Sequence, residues 1–159
     1  MRSLTVNLIG VERLVAALGR AAQAHHGPAV HTVLPLSPNH GQMGRDGLYA
    51  ESKAALEAML RKWHAEPAWA KGATLCGARI GWVRGTGLMA GLDGVHTHVE
   101  QALGIQTFSP AQMAQGLLGG CEGEARAAAA QTPQVLDLTG GFGAQAGLRQ
   151  LIEGALAAA

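Results

Sequence analysis

The sequence predicts an α/β fold, a doubly wound parallel sheet with helices on both faces, and three observations predict it. Segments with helical spacing of apolar residues alternate with short apolar runs at 29–36, 73–83 and 134–138. Those runs are too short for helices and too continuously apolar for half-exposed strands, which is the pattern of strands buried on both faces. Hydrophobic residues make up 48% of the 159-residue chain and charged residues 14%, enough to fill one core and too apolar for disorder.

The first element is a helix over residues 3–23, because Leu4, Leu8, Val11, Val15 and Leu18 recur at alternating steps of four and three and form one stripe. That stripe is expected to meet a partner surface. Polar residues from Gln23 to Pro28 end the helix, and Ala29 to Leu36 follows as a buried strand. Pro38 biases Ser37 away from helical angles, so Ser37 stands at the carboxyl end of that strand, where open α/β sheets gather their ligands. After a Gly-containing loop from Asn39 to Gly47, residues Leu48 to Ala65 lack Pro and Gly and are rich in strong helix formers. Ala73 to Val83 reads as the second strand. Gly85 to Thr107, with five glycines, reads as a lid or binding loop. Ser109-Pro110-Ala111-Gln112 has Ser, Pro and Gln where a capping box wants them, which predicts a helix from Pro110 to Leu118. Residues 119–132 carry no periodicity that assigns a form. Gln134 to Leu138 is a third strand and Ala144 to Ala158 a terminal helix.

Composition excludes several functions. Twelve Lys and Arg against eleven Asp and Glu leave a net charge of +1, which is no footprint for nucleic acid or an anionic membrane. Cys76 and Cys121 form no Cys-x-x-Cys and have no His at zinc spacing, so neither a metal site nor a disulfide framework is expected and a reducing compartment is. No apolar run reaches the roughly 20 residues that span a bilayer, and the start lacks a signal-peptide pattern. A soluble, cytoplasmic protein is expected.

The chemistry concentrates on one helix face. Tyr49, the only tyrosine, and Lys53 lie one turn apart, within reach of a shared ligand. A free phenol is a poor proton donor at neutral pH, and a neighbouring ammonium favours its anion. Ser37 stands ready to hydrogen-bond the same substrate oxygen. Tyr-x-x-x-Lys also recurs by chance in helices; here it follows a strand ending in Ser and precedes a strand ending in a Gly-rich loop.

Three blocks carry a resemblance. Leu34-Pro-Leu-Ser-Pro-Asn-His-Gly41, Asp46-Gly-Leu-Tyr-Ala-Glu-Ser-Lys53 and Ile80-Gly-Trp-Val-Arg-Gly-Thr-Gly-Leu-Met89 resemble the ketoreductase domain of fungal and actinobacterial type I fatty acid synthases, a divergent short-chain dehydrogenase/reductase. The likeness continues through Gln106-Thr-Phe-Ser109 and Asp137-Leu-Thr-Gly-Gly141. It implies a Rossmann-like sheet of which residues 1–159 form the C-terminal portion. It implies reduction of a 3-oxoacyl thioester on acyl carrier protein, with NADPH as hydride donor. Tyr49 would be the general acid at the β-carbonyl oxygen, Lys53 would activate the phenol and hold the nicotinamide ribose, and Ser37 would polarise the carbonyl. Thr86, with Val83 beside it, would contact the nicotinamide carboxamide, although Gly81-Trp82 stands where the family has Pro-Gly.

Weaker candidates are Arg84 and Arg45 as phosphate ligands and His40 in a proton relay, whereas Met89, Met113 and Phe108 read as packing. The nucleotide fingerprint, the residue that separates NADPH from NADH, and the catalytic asparagine are expected to lie outside these residues. Gln134 to Gly147 mimics a strand, glycine turn and helix, but Ala144 and Ala146 stand where the fingerprint needs glycines. Two readings follow. One is the C-terminal half of the reductase, joined to the rest of a synthase and to a second copy; the other is a catalytically silent assembly element without a cofactor site.

Overall fold

The computed structural model describes residues 2–41, 46–87, 90–143 and 148–158. Along the chain run α1 (Arg2–Leu4), a π-helical stretch (Thr5–Gly10), α2 (Val11–Ala24), β1 (Val30–Leu36), α3 (Tyr49–Ala65), α4 (Pro67–Ala70) and β2 (Ala73–Ile80). Then come a 3-10 helix (Ala90–Val95), α5 (His96–Leu103), α6 (Pro110–Gly119), α7 (Gly123–Gln131), β3 (Gln134–Leu138) and α8 (Leu148–Ala158). The strands form one parallel sheet in the order β1-β2-β3, with Val30 opposite Ala73 and Cys76 opposite Gln134.

Both faces of the sheet are covered over β1 and β2, whereas on β3 Val135 and Asp137 stay exposed. On one face, Val15 of α2 and Leu56, Met59, Leu60 and Trp63 of α3 bury Leu34, Leu36 and Leu75. On the other lie α6 and α7, where Gly116 and Gly120 bring the backbone against Leu138, Leu136 and Val33. A second cluster of Trp82, Val99, Leu103, Ile105, Phe142 and Ile152 ties α5 and α8 to the chain beyond β2. It gives the carboxyl end of the sheet a packed roof.

The differences from expectation have physical causes. The Leu4-to-Leu18 stripe does not serve mainly as a partner surface: Val15 is buried, and Leu8 and Val11 pack on the same core. The apolar faces of β1 and α3 need that cover. The residues turned outward are Val6, Ile9, Leu14 and Leu18. The second strand stops at Ile80 rather than Val83, because the chain leaves β3 after the Gly81 N–H to Leu138 bond and pairs with Phe108 instead. The expected loop at 85–107 holds the 3-10 helix and α5, and residues 123–131 of the unassigned stretch form α7. The terminal helix is described from Leu148; residues 144–147 of its expected start lie outside the described residues, as do Arg45 and Met89.

Candidate active site

At the carboxyl end of β1 the backbone turns at Ser37, which is buried. Its Oγ accepts the Asn39 N–H at 3.1 Å, and the Asn39 side chain donates to Asp46 at 2.9 Å. This short loop delivers the chain to Leu48, and α3 begins at Tyr49. The Tyr49 and Lys53 side chains share one face, with Lys53 Nζ 5.5 Å from the phenol ring centroid. Lys53 is buried and donates to the Pro35 carbonyl at 2.6 Å. Burial pulls its pKa below the ordinary 10.5.

Two adjoining cavities meet at Tyr49. One, of about 310 Å³, is walled by Tyr49, Lys53, Val83 and Thr86, with Met113 at its side. The other, of about 400 Å³, is walled by Tyr49, Ser37 and the apolar Pro38, Ile80, Trp82 and Phe142. Ile80 and Gly81 border both. The five residues singled out in the sequence thus wall these two cavities, Ser37 in one, Lys53, Val83 and Thr86 in the other, and Tyr49 in both. Thr86 is held in place by donating its hydroxyl to the Val83 carbonyl at 2.8 Å, which leaves the Oγ1 lone pairs as acceptors. Gly81 is dictated by packing, because a Cβ there would strike the Thr139 carbonyl. That contact accounts for glycine at this position.

Sequence reasoning missed three features. Asn7 lies in the π-helical stretch and donates to Ser52 Oγ at 2.9 Å, and buried Ser52 donates to the Tyr49 carbonyl at 2.7 Å. An asparagine is therefore within two hydrogen bonds of the first turn of α3, and the signal for it was a polar side chain beside the apolar stripe. Wide π turns of this kind recur at functional sites. Second, Glu57, two turns beyond Tyr49 on α3, receives both Arg79 Nε and Nη2, at 2.9 and 3.1 Å. His40 Nε2 stands 3.4 Å from the same carboxylate, so His40 faces Glu57. The Arg79 bond, set against burial, holds the Glu57 carboxyl below its ordinary 4.5. Third, Trp82 and Phe142 supply the apolar wall beside Ser37; the sequence marked Trp82 only as a departure from the family's Pro-Gly and did not mark Phe142. Arg84 follows this wall, its N–H bonded to the Phe108 carbonyl.

The geometry can be set beside known proteins. The chain is 44% identical over 151 residues to the fatty acid synthase subunit alpha of Gibberella zeae, covering 92% of this chain and 9% of that protein. It is 46% identical over 110 residues to the fatty acid synthase subunit alpha of Saccharomyces cerevisiae, covering 69% of this chain and 6% of that protein. The chain therefore spans about a tenth of the length of these relatives. A solved 4-hydroxyisoleucine dehydrogenase complexed with NADH superposes with a TM-score of 0.69 at 16% identity, over 89% of this chain and 58% of that one. A short chain dehydrogenase/reductase family protein superposes with a TM-score of 0.58 at 24% identity, over 86% of this chain and 55% of that one. No protein-family profile matches the chain. The resemblance read from the three sequence blocks holds: this chain is a relative of one segment of the fatty acid synthase alpha subunit, built on the short-chain dehydrogenase/reductase fold.

Proposed function

We propose that the chain supplies the proton-transfer half of an NADPH-dependent 3-oxoacyl-[acyl carrier protein] reductase of fatty acid synthesis. The observation that carries this reading is Tyr49 standing in the common wall of two cavities, one holding Lys53, Val83 and Thr86 and the other Ser37. A ketone in the Ser37 cavity would place its oxygen between the Ser37 and Tyr49 hydroxyls. As negative charge grows on that oxygen during reduction, two preplaced donors meet it, and Tyr49 hands over the proton. The bound nicotinamide would supply the hydride.

The residues present fit one end of such a cofactor. Lys53 would hold ribose hydroxyls and Thr86 the carboxamide, with Val83 packing beside the ring. The pyrophosphate end has no counterpart among the described residues, where no strand is followed by the glycine pattern Thr-Gly-x-x-x-Gly-x-Gly. In this reading the rest of a synthase completes the cofactor cleft, a second copy of the domain joins the assembly, and the acyl carrier protein presents the substrate. The free thiols of Cys76 and Cys121 suit a reducing cytoplasm.

The incomplete cradle favours a second reading, in which the segment serves assembly alone. Fluorescence titration with NADPH and assay of a 3-oxoacyl thioester separate the two. The isolated chain is expected to bind NADPH weakly and to show no turnover, whereas an assembled synthase carrying it is expected to do both. Tyr49→Phe in that assembly should cut kcat by at least about 100-fold with NADPH affinity unchanged, since the lost hydroxyl acts on the transition state. Retention of most of the activity would remove Tyr49 from the role of acid.

A further inference from the structure

We propose that Asp93 is a positioning residue for the cofactor: its carboxylate holds the turn at Val83 to Thr86 in the shape that presents Thr86 to the nicotinamide. The inference rests on the reading of Val83 and Thr86 as the nicotinamide end of the cofactor site. That turn lies beyond the end of β2 at Ile80, so the ladder of the sheet does not hold it. Its first half is tied to one neighbour, since Val83 bridges to Phe108 and the Arg84 N–H bonds to the Phe108 carbonyl at 2.9 Å. In its second half the Thr86 hydroxyl returns to the Val83 carbonyl at 2.8 Å, a bond internal to the turn. The Gly85 N–H donates to Asp93 Oδ2 at 2.9 Å. Among the described residues, this is the hydrogen bond that ties Gly85 and Thr86 to a segment outside the turn.

The backbone at Gly85 says why such a tie is needed. Gly85 has φ +68°, in the left-handed region, and a Cβ there would meet nothing within 4 Å, so the angle and not the space calls for glycine. A glycine is free to leave that angle, and a fixed partner for its N–H keeps it there. Asp93 is such a partner. It lies in the 3-10 helix Ala90–Val95, whose Leu92 and Val95 pack on the cluster of Trp82, Val99, Leu103 and Phe142. The His96 ring Nδ1 donates to the Asp93 carbonyl at 2.8 Å and fixes its backbone. The second carboxylate oxygen, Oδ1, is buried and meets no donor among the described residues, which destabilises the fold. A bare buried acceptor in a folded protein asks for a reason. The bond that Oδ2 makes to the turn supplies one. The cluster whose Trp82 and Phe142 wall the Ser37 cavity therefore also sets the Thr86 turn, through one carboxylate. Ser37 and Tyr49 stand on β1's end and α3, outside this linkage.

The test is made in the assembled, cofactor-competent protein, with NADPH affinity read by fluorescence titration and KM for a 3-oxoacyl thioester read at saturating NADPH. Asp93→Ala deletes the acceptor. It is expected to weaken NADPH binding about tenfold, as the loss of one hydrogen bond to a charged group does, while the thioester KM stays within about twofold. Asp93→Asn keeps an acceptor oxygen for the Gly85 N–H and is expected to bind NADPH within about twofold of the parent. An unchanged NADPH affinity in Asp93→Ala, an equal rise in both constants, or no rescue by Asn overturns the proposal. Thr86→Ala separates the inference from the reading beneath it. If Thr86→Ala weakens NADPH binding and Asp93→Ala does not, the inference alone falls. If Thr86→Ala leaves NADPH affinity unchanged, Thr86 is no cofactor contact, and the reading of this turn falls together with the inference. Should Asp93→Ala fail to assemble, Asp93→Leu decides on the same measurements, because it keeps the branched shape of the side chain and removes its acceptors.

Discussion

The Lys53 ammonium ends on the Pro35 carbonyl at a depth where burial favours the neutral amine. A base whose pKa is lowered in the fold binds its proton less tightly than in the unfolded chain. Its charge therefore weakens the fold at neutral pH, and stability recovers only as pH climbs through the lowered value towards 10.5. Lys53→Met keeps the stem and removes the charge. It is expected to melt no lower than the parent at pH 7 by circular dichroism, while cofactor affinity and turnover of the assembled protein both collapse. A melting point lower by more than about 4 °C would show that the bond to Pro35 outweighs the burial. Glu57 has the opposite sign. Its carboxyl is held below 4.5 chiefly by Arg79, so its contribution is present above 4.5 and is lost as pH falls through the lowered value. Arg79 is partly exposed, which limits the bond to about 1 kcal/mol. Glu57→Gln should lower stability by that amount at pH 7 and flatten the acid limb of a melting-point profile between pH 6 and pH 3; an unchanged acid limb would show that other carboxylates govern it. Ser37, Tyr49 and Lys53 were legible in the sequence because their chemistry lies in residue type and spacing. Asn7, Glu57 and Trp82 were not, because each matters through a neighbour at least 22 residues away along the chain or through the shape of a wall.

At the scale of elements, legibility followed the source of each element's stability. Helix α6 is announced by its own cap: Ser109 Oγ accepts the Gln112 N–H at 3.2 Å, and Gln112 Oε1 accepts the Ser109 N–H at 2.8 Å. Because both bonds are local, the sequence displays them. Ser109→Ala removes one half of the box and should lower stability by about 1 kcal/mol, read as a fall of the chemical-denaturation midpoint with unchanged slope. A change in slope instead would mean that α6 unfolds separately. Helix α7 has no such device: its Ala-rich segment shows no stripe and no side-chain cap, and Ala129 is its buried residue where it packs on β2 and β3. The first helix was legible as a helix but not in its interior. Its π turn packs against α3, where Asn7 reaches Ser52, and no period in the sequence encodes that contact.

At the scale of the molecule, the open edge of β1 decides how the isolated chain behaves. The Val30 N–H bonds to the Gly72 carbonyl, so Val30 faces β2. Backbone groups alternate in direction along a strand, and His31, Val33 and Pro35 therefore turn theirs to the side where no described strand pairs. Pro35 has no N–H, and its carbonyl is occupied by Lys53. The usable edge shrinks to His31 and Val33. Two copies related by a twofold axis could set His31 of one opposite Val33 of the other and exchange four backbone hydrogen bonds, with the exposed Val6, Ile9, Leu14 and Leu18 adding apolar surface nearby on α2 and the π turn. The sequence made the parallel sheet legible, but strand order decides which edge stays open, and order is a property of the whole chain. The isolated chain is expected to self-associate, with light scattering rising across a concentration series. Val33→Pro deletes one donor of the open edge without touching the bonds to β2 and should shift the series towards monomer. If the parent chain stays a monodisperse monomer that melts cooperatively, these residues form a self-sufficient fold, and the reading of the β1 edge as a pairing surface must be given up.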